Sequence, residues 1–291
     1  MLAVVLPKGS LEKQVLDLFS AADLRVLRGS ERDYHASIDD PRIDRVRFLR
    51  PQEIPTYVEQ GIFDLGISGR DWVAETGADV VSLGEIGGGR AGERTVRVVL
   101  AVPRESPWES AADLPDGVRI STEMPELTRR YLEEHGVKAK VFTSHGATEA
   151  KIPDIVDAIV DLTETGSSLK KAGLKIIATL LTSRTELLAN REAYQDDAKR
   201  AAMDDLVVLL QGALRAQDTV LLKLNVPVVQ LDGVLAVLPA MSSPTVMSTA
   251  ADDVRALETV VPKQGVNRLI PSLKAAGARD ILELPISKIV E

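Results

Sequence analysis

The sequence predicts an α/β chain that ends in a separate ferredoxin-like module of order βαββαβ. Three observations carry this. Short apolar runs alternate with helical spacing from the first residues onward, a polar stretch at 190–199 leads into a long helical pattern, and six further elements follow in that order.

The first strand is expected at 2–6, followed by Leu11, Val15, Leu18, Phe19 and Ala22 at helical spacing. An apolar run at 46–49 leads to Pro51 and a helix through Gln60, and 64–68 reads as another buried strand. Strands follow at 96–102, 119–122, 141–143 and 155–162, with a helix after Pro125. Beyond the polar stretch, Ala202, Leu206, Leu209, Leu210 and Ala213 share a helix face, and a domain boundary is placed near Asp205. The tail then reads strand 220–226, helix 228–237, strands 245–248 and 254–261, helix 266–276 and strand 281–286.

Composition bounds the function. At 291 residues, with 45% hydrophobic and 27% charged, two or three domains are expected. Lysine and arginine total 35 against 43 acidic residues, and the net charge of -8 disfavours nucleic acid and anionic membrane surfaces as partners. A phosphate-bearing ligand therefore needs a local basic pocket. The absence of cysteine excludes disulfides, thiol nucleophiles and thiolate metal sites. The uncharged stretch 233–251 is broken by Pro239 and Pro244, unlike a membrane span. Residues 1–6 run straight into Pro7-Lys8-Gly9 without a basic leader, so a cytoplasmic location is expected.

The chemistry concentrates at 155–169. Asp157 and Asp161 stand four residues apart in an apolar strand, hence on one face, and carboxylates there need a reason. Next come Thr163-Glu164-Thr165-Gly166-Ser167-Ser168-Leu169, where Gly166 permits a tight turn and the hydroxyls lie beside free backbone N–H groups. A 5-phosphate fits the start of the following helix, while a carboxylate at the strand end accepts from ribose hydroxyls. Asp161, nearer the loop, suits the ribose. Asp157 would lie ~13 Å away along an extended strand, too far to share one diol, and is left to magnesium or to structure. The plainer alternative is a helix capped by Ser167 with both acids at a solvated sheet end.

Other signals are weaker. Lys8-Gly9-Ser10 forms a strand-to-helix turn that admits an anion or merely caps a helix. Gly87-Gly88-Gly89-Arg90-Ala91-Gly92 matches a nucleotide fingerprint only formally, because a strand follows it where a helix is required, and it reads as a loop or hinge. His35, His135 and His145 are too widely spaced for a zinc site.

Taken together, Leu6-Pro7-Lys8-Gly9, Leu49-Arg50-Pro51, the run Asp64-Leu65-Gly66-Ile67-Ser68-Gly69-Arg70-Asp71-Trp72, Gly146-Ala147-Thr148-Glu149 and residues 157–169 resemble the ATP phosphoribosyltransferases of histidine biosynthesis. The tail, with Leu238-Pro239-Ala240-Met241-Ser242-Ser243-Pro244-Thr245, is similar to the histidine-sensing domain of the long form of that family. The resemblance implies a two-lobed catalytic region akin to periplasmic binding proteins, with lobe I at 1–92 and 179–206, lobe II at 93–178, and an ACT-like, ferredoxin-like regulatory domain at 207–291. It implies that Asp157, Ala158, Asp161, Glu164, Thr165, Gly166, Ser167, Ser168 and Leu169 bind 5-phosphoribosyl-1-pyrophosphate (PRPP), and that Lys8, Gly9, Arg50 and Asp71 line the ATP side. Glu149 and Lys8 are the implied catalytic groups. Magnesium is expected mainly on PRPP, with Asp157 and Asp161 as candidate ligands. Histidine is the implied inhibitor, with Ser243 and Thr245 among its contacts, and dimers or hexamers are the implied assemblies. Ser10, Ser68 and His145 depart from residues usual in the family, arginine, threonine and tryptophan respectively. A phosphoribosyltransferase for another base and a non-catalytic bilobal solute-binding protein are the alternatives.

Overall fold

The computed structural model describes residues 1–87, 95–239 and 243–290. Most of the glycine-rich run and the Ala240-Met241-Ser242 part of the tail motif lie outside the described residues.

In chain order the first stretch comprises β1 (Leu2–Pro7), α1 (Glu12–Ala21), β2 (Val26–Leu27), β3 (His35–Ile38), β4 (Ile43–Leu49), α2 (Ile54–Glu59), β5 (Leu65–Gly69), α3 (Arg70–Thr76) and β6 (Val80–Glu85). The next comprises β7 (Val96–Pro103), β8 (Val118–Thr122), α4 (Pro125–Glu134), β9 (Ala139–Thr143), β10 (Ala158–Thr163), α5 (Ser167–Lys171) and β11 (Leu174–Ser183). The chain then returns through β12 (Thr185–Asn190), α6 (Arg191–Gln195) and α7 (Asp197–Ala216).

Two sheets result. The first has the order β2-β3-β4-β1-β5-β12-β6, with β1 parallel to β4 and β5 and with β12 antiparallel to β5 and β6. The second has the order β11-β7-β10-β8-β9, with β8, β9 and β10 parallel and β7 antiparallel to β10 and β11. The central strands of each sheet are buried, as near-continuous apolar runs such as Val98, Val99, Leu100, Ala101 and Val102 require. The two-lobed expectation is met.

Sheet membership moves the crossing between the sheets. β11 runs to Ser183 as the antiparallel neighbour of β7, so the chain leaves the second sheet at Arg184 rather than near residue 179. The strand expected at 155–162 begins only at Ala158, and Asp157 sits just before it. The helix α7 passes unbroken through Asp205, and the compact units divide between Val207 and Val208.

The second unit carries β13 (Thr219–Pro227), α8 (Leu231–Val237), β14 (Thr245–Ser248), β15 (Val254–Pro262), α9 (Val266–Ala275) and β16 (Arg279–Pro285). These form an antiparallel sheet of order β14-β15-β13-β16, the ferredoxin-like arrangement read from the sequence. Strict alternation along β13 buries Val220, Leu222, Leu224 and Val226 against Val234, Val266 and Leu273 of its two helices.

Candidate active site

The parallel strands β1, β4 and β5 end in turns that converge on one cavity of about 240 Å³. Lys8 and Ser10 follow β1, Arg50 and Pro51 follow β4, and Asp71 and Trp72 follow β5, while Glu123 and Leu162 enter from the second sheet. Ligands of parallel sheets settle beyond the carboxyl ends of strands for this reason.

Gly9 makes the first turn at a φ of 103°, and a Cβ there would meet Arg50 Nη1 at 3.3 Å. Lys8 Nζ donates to the Glu31 carbonyl and faces Glu12 Oε1 at 3.4 Å, with the Tyr34 and Phe48 rings each 5.8 Å away. Glu12 also meets Arg28 Nη2 at 2.6 Å. Burial opposes charge on Glu12, yet Arg28, the Gly9 amide and Lys8 together hold its carboxyl below the ordinary range. The Arg50 guanidinium lines the cavity with no ion-pair partner among the described residues, which leaves it available to an anion.

Asp71 is 5% exposed at the start of α3, held by Ser183 and by its own first-turn amides. Burial pushes its carboxyl above the ordinary range against those hydrogen bonds. Gly69 is obligatory beside it, because a Cβ would lie 2.0 Å from Asp71 Oδ1. Ser68 is fully buried and donates to the Pro51 carbonyl at 2.7 Å, a structural use of the hydroxyl at that departure.

The residues read as the phosphoribosyl loop lie outside that cavity, around the end of β10. Gly166 has a φ of 76° and donates its N–H to Thr163 Oγ1 at 2.8 Å. Thr165 Oγ1 donates to Ser167 Oγ at 3.0 Å and accepts from Ser167 N at 3.3 Å. Leu169 is buried against Val99, Ala101 and Ile159 and anchors the loop. Among the described residues nothing accepts from the Ser168 and Leu169 amides. Glu164, Thr165, Ser167 and Ser168 are exposed.

Asp161 sits partly buried within β10, one Oδ1 accepting from Leu162 N at 2.7 Å. Burial raises its carboxyl above the ordinary range, and the nearby charges of Glu149 and Glu123 act in the same direction. Glu149 stands exposed on the short 3-10 helix Thr148–Lys151, entered through Ala147 at a left-handed φ of 47°. Glu123 is a neighbour that sequence reasoning missed. Its only signal is its place just after the apolar strand β8.

Asp157 is engaged elsewhere. Its carboxylate meets Arg119 Nη2 at 2.6 Å, Arg119 Nε at 3.1 Å and Arg119 N at 2.9 Å, which holds it below the ordinary range. Asp157 and Asp161 therefore have separate partners, Arg119 and the Leu162 amide, and among the described residues no group of three or more acidic or histidine side chains is placed to hold a metal ion. Ala158 is fully buried and offers no side chain to a ligand. Ser243 and Thr245 are exposed in the second unit, Thr245 opening β14.

The two-sheet α/β unit with cationic turns at one cavity and a hydroxyl-rich loop after β10 is that of a phosphoribosyl-transferring enzyme by its relatives. The chain belongs to the ATP phosphoribosyltransferase family. The family described as HisG, ATP phosphoribosyltransferase, matches residues 50–212, and the one described as HisG, C-terminal domain, matches 216–288. The ATP phosphoribosyltransferase of Desulforudis audaxviator is 48% identical over 287 residues, 98% of each chain. That of Pelotomaculum thermopropionicum is 46% identical over 285 residues, again 98% of each. The ATP phosphoribosyl transferase (HisG:HisZ) complex from Thermotoga maritima contains a chain that superposes with a TM-score of 0.62 at 29% identity, covering 72% of this chain and 97% of that one. The activity is transfer of phosphoribosyl from PRPP to N1 of ATP with release of pyrophosphate, the first step of histidine biosynthesis. Among the described residues no helix is long and apolar enough to cross a membrane.

Proposed function

We propose that Asp161 and the loop from Thr163 through Leu169 hold PRPP in this reaction, with Lys8, Gly9, Arg50 and Asp71 on the ATP side of the cavity. The observation that carries this reading is the placement of Asp161 immediately before a hydroxyl loop whose Ser168 and Leu169 amides have no acceptor among the described residues. The 5-phosphate accepts from those amides and from Thr165, Ser167 and Ser168, and the Asp161 carboxylate accepts from ribose hydroxyls.

The adenine N1 lone pair attacks C1 of the ribose, the N1–C1 bond forms, and the C1–O bond to pyrophosphate breaks with its electron pair leaving on oxygen. Catalysis then rests on alignment and on cations near the departing group, which Lys8 and Arg50 supply. Glu149, across from Asp161, takes the proton that the adenine amine loses. Magnesium, which would ride on the pyrophosphate of PRPP, supplies charge neutralisation there. The donor chemistry fits that arrangement better than a metal cage built by the protein, since Asp157 is held by Arg119.

Asp161→Asn is expected to raise the KM for PRPP or to cut turnover by about ten- to a hundredfold, the equivalent of a charge-assisted hydrogen bond of ~1.5–3 kcal/mol. Steady-state kinetics alongside a melting curve measure it, and wild-type kinetics would refute the assignment.

The second unit is read as the histidine sensor, with Ser243 and Thr245 among the contacts, acting on a homo-oligomer, dimer or hexamer, in the cytoplasm. Ser243→Ala with Thr245→Ala should weaken inhibition by histidine while leaving uninhibited turnover intact. Undiminished inhibition places the sensor elsewhere.

A further inference from the structure

Lys151 closes the helix Thr148–Lys151 and is partly buried. Its ammonium donates to Ser144 Oγ at 2.5 Å and to Ser121 Oγ at 3.2 Å, and among the described residues it has no carboxylate partner. Both serines are almost fully buried, and Ser144 Oγ is also shared with Thr148 Oγ1 at 2.8 Å. An ammonium has three N–H donors. Two go to neutral hydroxyls, which orient the charge without neutralising it, and the third has no acceptor among the described residues.

The place of this cation matters as much as its partners. Ser121 of β8 is in register with Ile159 of β10, and side chains alternate along a strand, so Ser121, Ile159 and Asp161 share one face of the sheet. Ile152, the residue after Lys151, packs on the same cluster as Ile159 and the loop anchor Leu169. Lys151 therefore stands over the face that carries Asp161 and the hydroxyl loop. It stands on the β8 side of β10, whereas α5 packs toward β11 at the other side.

We infer that Lys151 is a second phosphate contact of this site, holding a polyphosphate on the side of Asp161 opposite the loop. The anion is the pyrophosphoryl arm of PRPP or the triphosphate of ATP, which present the same chemistry. The inference rests on the assignment of Asp161 and the loop to PRPP. The electrostatics favour such a contact: Asp161, Glu149 and Glu123 put negative charge around the end of β10, the loop answers a polyanion only with neutral donors, and Lys151 adds a cation on this sheet to those that Lys8 and Arg50 supply from the first. A lysine oriented by hydroxyls rather than paired with an acid offsets that repulsion.

The test is calorimetric titration of the full-length protein with inorganic pyrophosphate, PRPP and ATP in turn, for the wild type, Lys151→Met and Lys151→Arg, each checked by thermal melting. Lys151→Met should weaken PRPP or ATP by about ten- to a hundredfold and flatten the salt dependence of that binding, while Lys151→Arg keeps most of the affinity. Loss for PRPP identifies the sugar donor as the ligand of Lys151, and loss for ATP identifies the triphosphate. Unchanged binding of both by Lys151→Met, or equal losses in the two variants, overturns the inference. Asp161→Asn, titrated in parallel, separates the two assignments: unaltered PRPP binding there removes Asp161 from the binding of PRPP, whatever Lys151 does.

Discussion

Ser183 Oγ donates to Asp71 Oδ1 at 2.5 Å and accepts from Asp71 N at 3.0 Å, joining the last residue of β11 to the first turn of α3. The contact ties the second sheet's outer strand to the cavity wall of the first. Ser183→Ala leaves a carboxyl that is 5% exposed without its hydroxyl donor. The expected cost is about 1–3 kcal/mol of stability, read by urea denaturation, together with a higher KM for ATP. A loss of stability with an unchanged KM for ATP would remove Asp71 from the ATP side.

Asp71 and Asp157 should give opposite pH dependences. Burial raises the Asp71 carboxyl above its ordinary 3.8, so its contribution to stability is full below that value and is lost as pH rises through the raised one. Arg119 lowers the Asp157 carboxyl below 3.8, so its contribution is full above that value and is lost as pH falls through the lowered one. Melting temperatures against pH should show Asp71→Asn gaining on the wild type as pH rises from 3.8, and Asp157→Asn approaching the wild type as pH falls below 3.8. Parallel curves for both variants would contradict these directions.

Gly66→Ala tests the close approach of helix and strand behind the site. An added Cβ would lie 2.7 Å from Val58 Cγ2, 2.8 Å from Ile54 Cγ2 and 2.9 Å from Val5 Cγ1, all fully buried. Overpacking of this kind costs about 1–3 kcal/mol. Denaturant midpoints measure it, and an unchanged midpoint would mean that α2 moves freely from β5.

The sequence showed local chemistry well and long-range partnership poorly. The loop 163–169 was legible because a turn glycine, hydroxyls and a buried anchor are neighbours in the chain. The βαββαβ tail was legible because β13 alternates at period two between turn signals. By contrast, Asp157 invites a metal or ligand until Arg119, far back in the sequence, is seen against it. The Asp71–Ser183 pair spans an even longer separation, and neither residue announces the other. The short strands β2 and β3 and the antiparallel returns β11 and β12 went unread, because their pairing is decided by neighbours in the sheet and not by their own pattern. Glu123 escaped for the same reason, since only the fold sets it near Asp161.

Glu75 of α3 caps a helix that belongs to the other sheet. Its carboxylate accepts from Glu126 N at 3.1 Å and Leu127 N at 2.8 Å, the free amides in the first turn of α4, and Arg130 returns a bond to the Ala74 carbonyl. A carboxylate at a helix N-terminus gains from both the hydrogen bonds and the helix dipole. Here the cap also spans the two lobes, so it resists any motion that separates α3 from α4. Glu75→Ala should therefore cost about 0.5–2 kcal/mol in stability, the range for a lost cap. It should also raise the KM values for both substrates together, because the ATP side is carried by turns of the first sheet and the PRPP loop by the second, and the cap fixes one against the other. Glu75→Gln, which keeps the acceptor oxygen but not the charge, should fall between the two. If the alanine variant loses stability while both KM values stay fixed, the cap serves α4 alone and the lobes are held by other contacts.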